Sequence, residues 1–321
     1  MPRLRHNPLS DEWIVLSPER ARRPEDFIRP MKRPITPAKD CLFCLNGPAY
    51  QERIYETEHT YVIPNKYPAF VNDPQVVNDG GAMFENGRAM GRHEVIIRKD
   101  HHTHLLDLPA GLIGELFEVI ASRVVSAREH SLYEVALPFH NHGPEAGASL
   151  FHPHSQLIAS DLIPPRLHNM IRQASTFYAA EQDCLLCRLW RSEAEANRRV
   201  LCENDGFIAL LPYASRYPYE IQILPKHHAS EFERLDAHHL RSLSNLLEKT
   251  FGSLKKALND PPLNWAIMTR PLRPRIQSEA WHWFMEITPR LEHFGGYEVA
   301  FGAIINTLSP ERAVEYLRKH L

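Results

Sequence analysis

One ordered set of motifs occurs twice in this chain, and that repetition restricts its fold more than any other feature. The first copy runs Cys41-Leu42-Phe43-Cys44, a strand-like Glu94-Val95-Ile96-Ile97, the pair His101-His102, a helical stretch, and His152-Pro153-His154-Ser155-Gln156. The second runs Cys184-Leu185-Leu186-Cys187, Glu220-Ile221-Gln222-Ile223-Leu224, the pair His227-His228, a helical stretch, and His282-Trp283-Phe284-Met285-Glu286. The helical stretches are read from apolar stripes: Leu112, Leu116, Ile120 and Val124 with Ile113 and Phe117 alongside, then Leu240, Leu243, Leu247, Phe251, Leu254 and Leu258. Each copy combines strands with one amphipathic helix and ends in a strand bearing histidine, the pattern of an internally duplicated α+β fold. A chain of 321 residues exceeds what one ordinary core fills. Pro164-Pro165 interrupts helix and sheet pairing alike and divides it into halves at 1–165 and 166–321. A closing helix is expected over Glu311 to His320.

A single Cys-x-x-Cys is ambiguous, but its recurrence with two later histidines points to metal. Zn²⁺ takes four soft or borderline ligands in a tetrahedron, and each half offers two thiols and two imidazoles in the same order. The expected ligands are Cys41, Cys44, His102 and His152 for one site and Cys184, Cys187, His228 and His282 for the other. His101 and His227 are the rival neighbours, set aside as solvated loop residues together with His104, His238 and His239.

Alternate residues of a strand share a face, so His152, His154 and Gln156 point one way. Two histidines two positions apart lie roughly 6.6 Å from each other along a strand, too far for one ion to take both. One histidine anchors and the other is free to react. The second half has His282, Phe284 and Glu286 at the matching places, which predicts two metal sites and one active site.

Upstream of the double histidine lies Asn141-His142-Gly143-Pro144-Glu145-Ala146-Gly147-Ala148-Ser149. Gly143 and Gly147 permit positive φ and close backbone approach, while Asn141 and Ser149 supply side-chain hydrogen bonds, together an expected anion-binding nest. With His154 and Gln156 directly downstream, a phosphate site with a nucleophile and an amide donor is coherent. Arg20, Arg22 and Arg23 follow the expected strand Trp13-Ile14-Val15-Leu16 and add positive charge, unless they form only a solvated basic turn. Asn65-Lys66-Tyr67-Pro68 reads as a further turn.

A net charge of −2 argues against a protein held by nucleic-acid phosphates. No apolar run of about 18 residues suggests a membrane span, and the polar start without an apolar core segment suggests no secretory signal. A cytoplasmic protein is expected, in which the five cysteines are poor disulfide candidates.

The run Asn141-x-Gly143-x-x-x-Gly147-x-Ser149-x-x-His152-x-His154-x-Gln156 closely resembles the signature of the galactose-1-phosphate uridylyltransferase family, a branch of the histidine-triad superfamily. Trp13 to Pro24 with Arg20 and Arg23, Gly91-Arg92-His93-Glu94-Val95, and Gly296-Tyr297-Glu298 extend the likeness over nearly the whole chain. The resemblance implies a duplicated histidine-triad-like fold with an antiparallel sheet, a homodimer, and sugar-nucleotide and sugar 1-phosphate substrates. It implies nucleotide or phosphate contacts for Asn141, Gly143, Ser149, Gln156, Arg20 and Arg23, base or ribose contact for Asn65, and places near the hexose for Tyr297 and Glu298. The second Cys-x-x-Cys is similar to that of a subset including ADP-glucose phosphorylase, with two zinc sites, iron being the alternative in the second. Lys66 stands where uridylyltransferases tend to carry an acidic residue. Uridylyl transfer through a nucleotidyl-histidine is therefore the first expectation. The alternatives are ADP-glucose phosphorylysis, a hydrolase, and a non-catalytic zinc-stabilised binding module.

Overall fold

In chain order the strands are β1 (Arg3–Asn7), β2 (Glu12–Leu16), β3 (Tyr55–Glu56), β4 (Thr60–Pro64), β5 (Gly91–Arg98), β6 (Val135–His142), β7 (His154–Ser160), β8 (Val200–Glu203), β9 (Phe207–Leu210), β10 (Ile221–Pro225), β11 (Leu263–Met268), β12 (Phe284–Pro289) and β13 (Ile304–Asn306). The helices are α1 (Ala110–Arg128), α2 (Pro165–Glu181), α3 (Leu185–Ala196), α4 (Ala237–Leu258), α5 (Gly296–Phe301) and α6 (Pro310–Arg318). This computed structural model describes residues 1–20, 27–28, 36–72, 83 and 87–321, the side chain of Arg20 excepted.

Ten strands pair in one sheet in the order β3-β4-β5-β7-β6-β11-β12-β10-β9-β8, and β1-β2-β13 form a small second sheet. All ladders of the large sheet are antiparallel, whereas β13 joins β2 in parallel. From the central β6–β11 pair outward the order repeats: β7, β5, β4, β3 on one side and β12, β10, β9, β8 on the other. The registers repeat too. Gln156 lies between Val95 and Phe139, Glu286 lies between Gln222 and Ala266, and Phe139 pairs with Ala266 across the centre.

The apolar stripes form α1 and α4, which bury Ile113, Leu116, Phe117, Ile120 and Val124, and Leu243, Leu247, Phe251, Leu254 and Leu258. Asp236 caps α4 by accepting from the His239 amide at 2.8 Å, and Asn259 at φ 57° ends it. Both helices share one core with Ile96, Leu157, Ile223 and Met285, the inward residues of the alternating strands. Each such fully buried Leu or Ile contributes roughly 1.5–3 kcal/mol.

The other face is treated differently at its two ends. Phe284, Ile208 and Leu210 pack under α2 and α3. Tyr61, Ile63, Val95 and Ile97 form a smaller apolar cluster against Phe43, Ala49 and Tyr50. His154 and Gln156 emerge on this face, because Ser155 and Leu157 point to the helical core.

The Pro164-Pro165 break is the entry to α2, with Pro165 at its first turn, where a missing N–H is harmless. No helix is long and apolar enough to cross a membrane among the described residues.

Candidate functional site

The two Cys-x-x-Cys motifs meet their histidines in space. Cys41, Cys44, His101 and His152 converge, as do Cys184, Cys187, His228 and His282, each set with its ligand atoms within 4.8 Å of one another. Both sets could hold a metal ion. A tetrahedral ion bonded at about 2.0–2.3 Å holds its ligand atoms roughly 3.3–3.8 Å apart. Cys41 Sγ lies 3.4 Å from His152 Nδ1, and Cys44 Sγ lies 3.3 Å from His101 Nδ1 and 3.7 Å from His152 Nδ1. Cys187 Sγ lies 3.3 Å from Nδ1 of both His228 and His282.

The outer nitrogens agree with that fit. His101 Nε2 donates to the Thr36 carbonyl at 2.9 Å, His228 Nε2 to that of Ser278 at 3.0 Å, and His152 Nε2 to that of Arg98. A carbonyl can only accept, so these bonds fix the protons outside and leave each Nδ1 bare. The bare Nδ1 atoms of His101 and His152 stand 3.1 Å apart, a pair of lone pairs that a shared cation reconciles.

The expected ligand His102 is corrected to His101. Asp100 accepts from the His102 and Thr103 amides, at 2.9 and 3.3 Å, and this turn sends His102 into solvent while His101 is buried. The two His-His pairs are out of step by one residue. After β5 comes Lys99-Asp100-His101, and after β10 comes Lys226-His227-His228, so His101 is the true counterpart of His228.

His152 and Pro153 precede β7, which starts at His154. The His154 Nδ1 donates to the His152 carbonyl at 2.8 Å, so Nε2 is the unprotonated nitrogen. Burial holds the imidazole below its usual 6.5, against the pull of that hydrogen bond, and keeps it neutral. The ring packs edge-on to Phe43 with centroids 5.3 Å apart. Together with Ser149, Asn141, His104, His140 and His142 it lines a small open pocket.

The 143–149 loop has the predicted glycine geometry, with Gly143 and Gly147 both at φ 87°. The amides of Ala146 and Ala148 donate to the Gly143 carbonyl and that of Gly147 to Pro144, which holds the loop in shape. Side chains add donors beside it. Asn141 Oδ1 accepts from Asn264 Nδ2 at 2.8 Å, and Asn264 also reaches the Ala146 carbonyl at 2.8 Å, which leaves the Asn141 amide nitrogen turned toward Gly147 and the loop mouth. No motif flags Asn264. It becomes visible only through its pairing with Asn141 across β6 and β11. Gln156 is held by His93, which the sequence placed in a matching motif without a role: its Oε1 accepts from His93 Nε2 at 2.8 Å, and Asn65 packs on the same imidazole.

The structure does not bring every expected residue here. Tyr297 and Glu298 lie on α5 beside β13, where Glu298 accepts from the Gly295 amide at 2.9 Å. No hydrogen bond or ring contact joins them to residues 141–156 among the described residues. Arg23 and the Arg20 side chain lie outside the described residues.

In the second half the equivalent place is closed. Phe284 replaces the reactive histidine and is buried beside Trp281. Arg166 of α2 grips Glu286 with two bonds of 2.8 Å, at the position corresponding to Gln156.

Residues 1–164 match the family described as galactose-1-phosphate uridyl transferase, N-terminal domain. An ADP-glucose phosphorylase of Arabidopsis thaliana is 31% identical, covering 99% of this chain and 93% of that protein. A galactose-1-phosphate uridylyltransferase of Thermotoga maritima is 29% identical, covering 99% and 98%. The solved structure of an Arabidopsis thaliana ADP-glucose phosphorylase with bound ADP-glucose superposes with a TM-score of 0.82 at 29% identity, over 99% of this chain and 98% of that one. The chain is a nucleotidyltransferase enzyme. It belongs to the galactose-1-phosphate uridylyltransferase family, alongside members of the ADP-glucose phosphorylase kind.

Proposed function

We propose that this enzyme moves a nucleotidyl group from a sugar nucleotide to a phosphate-bearing acceptor by double displacement on His154. The observation that carries the reading is the bond from His154 Nδ1 to the His152 carbonyl, which presents Nε2 as a neutral nucleophile. The Nε2 lone pair forms a bond to the α-phosphorus while the bond to the bridging oxygen breaks, and its electron pair leaves with the sugar 1-phosphate. An acceptor phosphate oxygen then attacks the same phosphorus, and the electron pair of the P–N bond returns to Nε2. Throughout, Nδ1 keeps its proton and donates it to the His152 carbonyl, which stabilises the cationic ring of the intermediate. Gln156, Asn141 and Ser149 hold the non-bridging oxygens, where preset donors stabilise developing charge. Gly143 and Gly147 shape the loop, and Asn65, Arg20 and Arg23 serve the nucleotide.

The donor is UDP-glucose and the acceptor galactose 1-phosphate in the first reading. The second reading, ADP-glucose with inorganic phosphate, is favoured by the second Cys/His cluster and the 31% identity to a phosphorylase. Zinc is the ion proposed for both clusters, with iron as the alternative at Cys184, Cys187, His228 and His282. Four protein ligands leave no open position, so its contribution when bound is to fix the backbone. The halves 1–165 and 166–321 are proposed as duplicated histidine-triad-like units, supported by the repeating strand order. A homodimer belongs to the same reading, with Tyr297 and Glu298 serving the hexose.

Incubation of the enzyme with UDP-glucose or ADP-glucose, each with galactose 1-phosphate, inorganic phosphate or neither, tests the proposal. Turnover with one donor and one acceptor, and a single equivalent of glucose 1-phosphate without acceptor, is expected. Continuous release of nucleotide to water would indicate a hydrolase, and tight binding without turnover a binding module.

A further inference from the structure

An amide that faces an anion helps only if its NH₂ end is turned outward, because the oxygen end repels. Gln156 shares the open face with His154, two residues away on β7. Its Oε1 lies 2.8 Å from His93 Nε2. The proton on that imidazole is fixed from the other side. The Ala69 amide donates to His93 Nδ1 at 3.3 Å, while Asn65 Nδ2 lies against the ring, 3.4 Å from Nδ1 and 3.3 Å from Nε2. Asn65 is itself oriented, since its Oδ1 accepts from the Tyr67 amide at 2.9 Å. With the Ala69 N–H aimed at Nδ1, the ring proton resides on Nε2, which therefore needs an acceptor, and among the described residues the oxygen of Gln156 supplies it. The Gln156 nitrogen is left with no acceptor among the described residues. Burial lowers the His93 pKa and so favours this singly protonated ring.

The same two strand positions carry opposite chemistry in the second half. Glu220 stands two residues before Gln222 as His93 stands two before Val95, and Glu286 matches Gln156 in register. There a pair of buried carboxylates surrounds the Arg166 cation. Where the second half presents acceptors to a cation, the first presents a donor toward open space.

Resting on the nucleotidyl-transfer reading, we propose that His93 is a positioning residue that locks Gln156 with its NH₂ group toward the α-phosphate. Without this lock the amide rotates freely and turns its oxygen toward the phosphate for part of the time. The effect belongs to the transition state, where charge on the non-bridging oxygens is greatest.

The test is single-turnover release of sugar 1-phosphate from the sugar nucleotide alone, with the full-length protein and its His93→Leu, His93→Gln, Gln156→Ala and His93→Leu/Gln156→Ala variants. His93→Leu is expected to lower the rate about 10- to 100-fold, approaching the loss from deleting an oxyanion donor, with the donor dissociation constant changed by less than about threefold. His93→Gln, which restores an N–H near the lost Nε2, recovers most of the rate. In the Gln156→Ala background His93→Leu adds nothing. An unchanged rate in His93→Leu overturns the proposal, as does an equal loss in both backgrounds. If the parent enzyme transfers no nucleotide from any sugar nucleotide, it is the nucleotidyl-transfer reading that fails.

Discussion

His154 Nδ1 lies 2.8 Å from the carbonyl oxygen of His152, whose own imidazole points into the Cys41, Cys44 and His101 cluster. One residue thus joins a cluster that could hold a metal ion to the tautomer of the proposed nucleophile through its main chain. The second half retains the anchoring partner, His282, but has Phe284 where the nucleophile would be, so its cluster can serve the fold alone.

The first consequence concerns pH. His154 attacks only when neutral, and burial holds its pKa below 6.5, so the active form is present above that lowered value and is lost as pH falls through it. Single-turnover transfer from the sugar nucleotide, which avoids titration of the acceptor, is expected to show an acid limb centred below pH 6.5. An acid limb centred at or above 6.5 would contradict this assignment.

The two clusters should differ in what their loss does. Cys41→Ser is expected to reduce single-turnover transfer about 10- to 100-fold, as loss of an orienting metal shell does elsewhere, and to lower the melting temperature. Cys187→Ser is expected to lower the melting temperature while the folded protein transfers nucleotide at close to the parental rate. Metal content by elemental analysis, thermal melting and single-turnover kinetics on both variants check this. Equal kinetic damage from both would show that the His152 link has no special role.

The closed second site makes a prediction about stability. Burial, with the neighbouring Glu286, pushes the Glu220 carboxyl up to about 7 from an ordinary 4.5. The folded state therefore holds this proton where the unfolded chain has released it. The stability it provides is full below 4.5 and is lost as pH rises through about 7. Glu220→Gln should melt progressively higher relative to the parent from pH 5 to pH 8, and a constant difference would refute the assignment. Arg166→Leu removes the cation from between the carboxylates and is expected to destabilise the protein by about 3–5 kcal/mol in denaturant titrations.

Much of this was legible because it depends on short spacings. Alternation over His154 and Gln156 and the stripes of α1 and α4 are local patterns, and they specify faces and helices directly. Matching Cys41-x-x-Cys44 to Cys184-x-x-Cys187 located both clusters. The error at His102 came from aligning two His-His pairs by appearance, when Asp100 stands where the second half has His227 and the pairs are out of step by a residue. What stayed hidden depends on long-range pairing. Asn264 has no meaning until β11 is set beside β6, and Arg166 is uninformative until α2 is laid over β12. Likewise the hydrogen bonds by which the amides of Ala146, Gly147 and Ala148 hold the 143–149 loop appear only once the chain is folded.

The most direct test is intact mass spectrometry of the protein after incubation with a sugar nucleotide and no acceptor. A gain of one nucleoside monophosphate, equal in amount to the sugar 1-phosphate released and absent in His154→Ala, is the predicted result. Release of sugar 1-phosphate that requires an acceptor and leaves the protein mass unchanged would contradict a covalent route through His154.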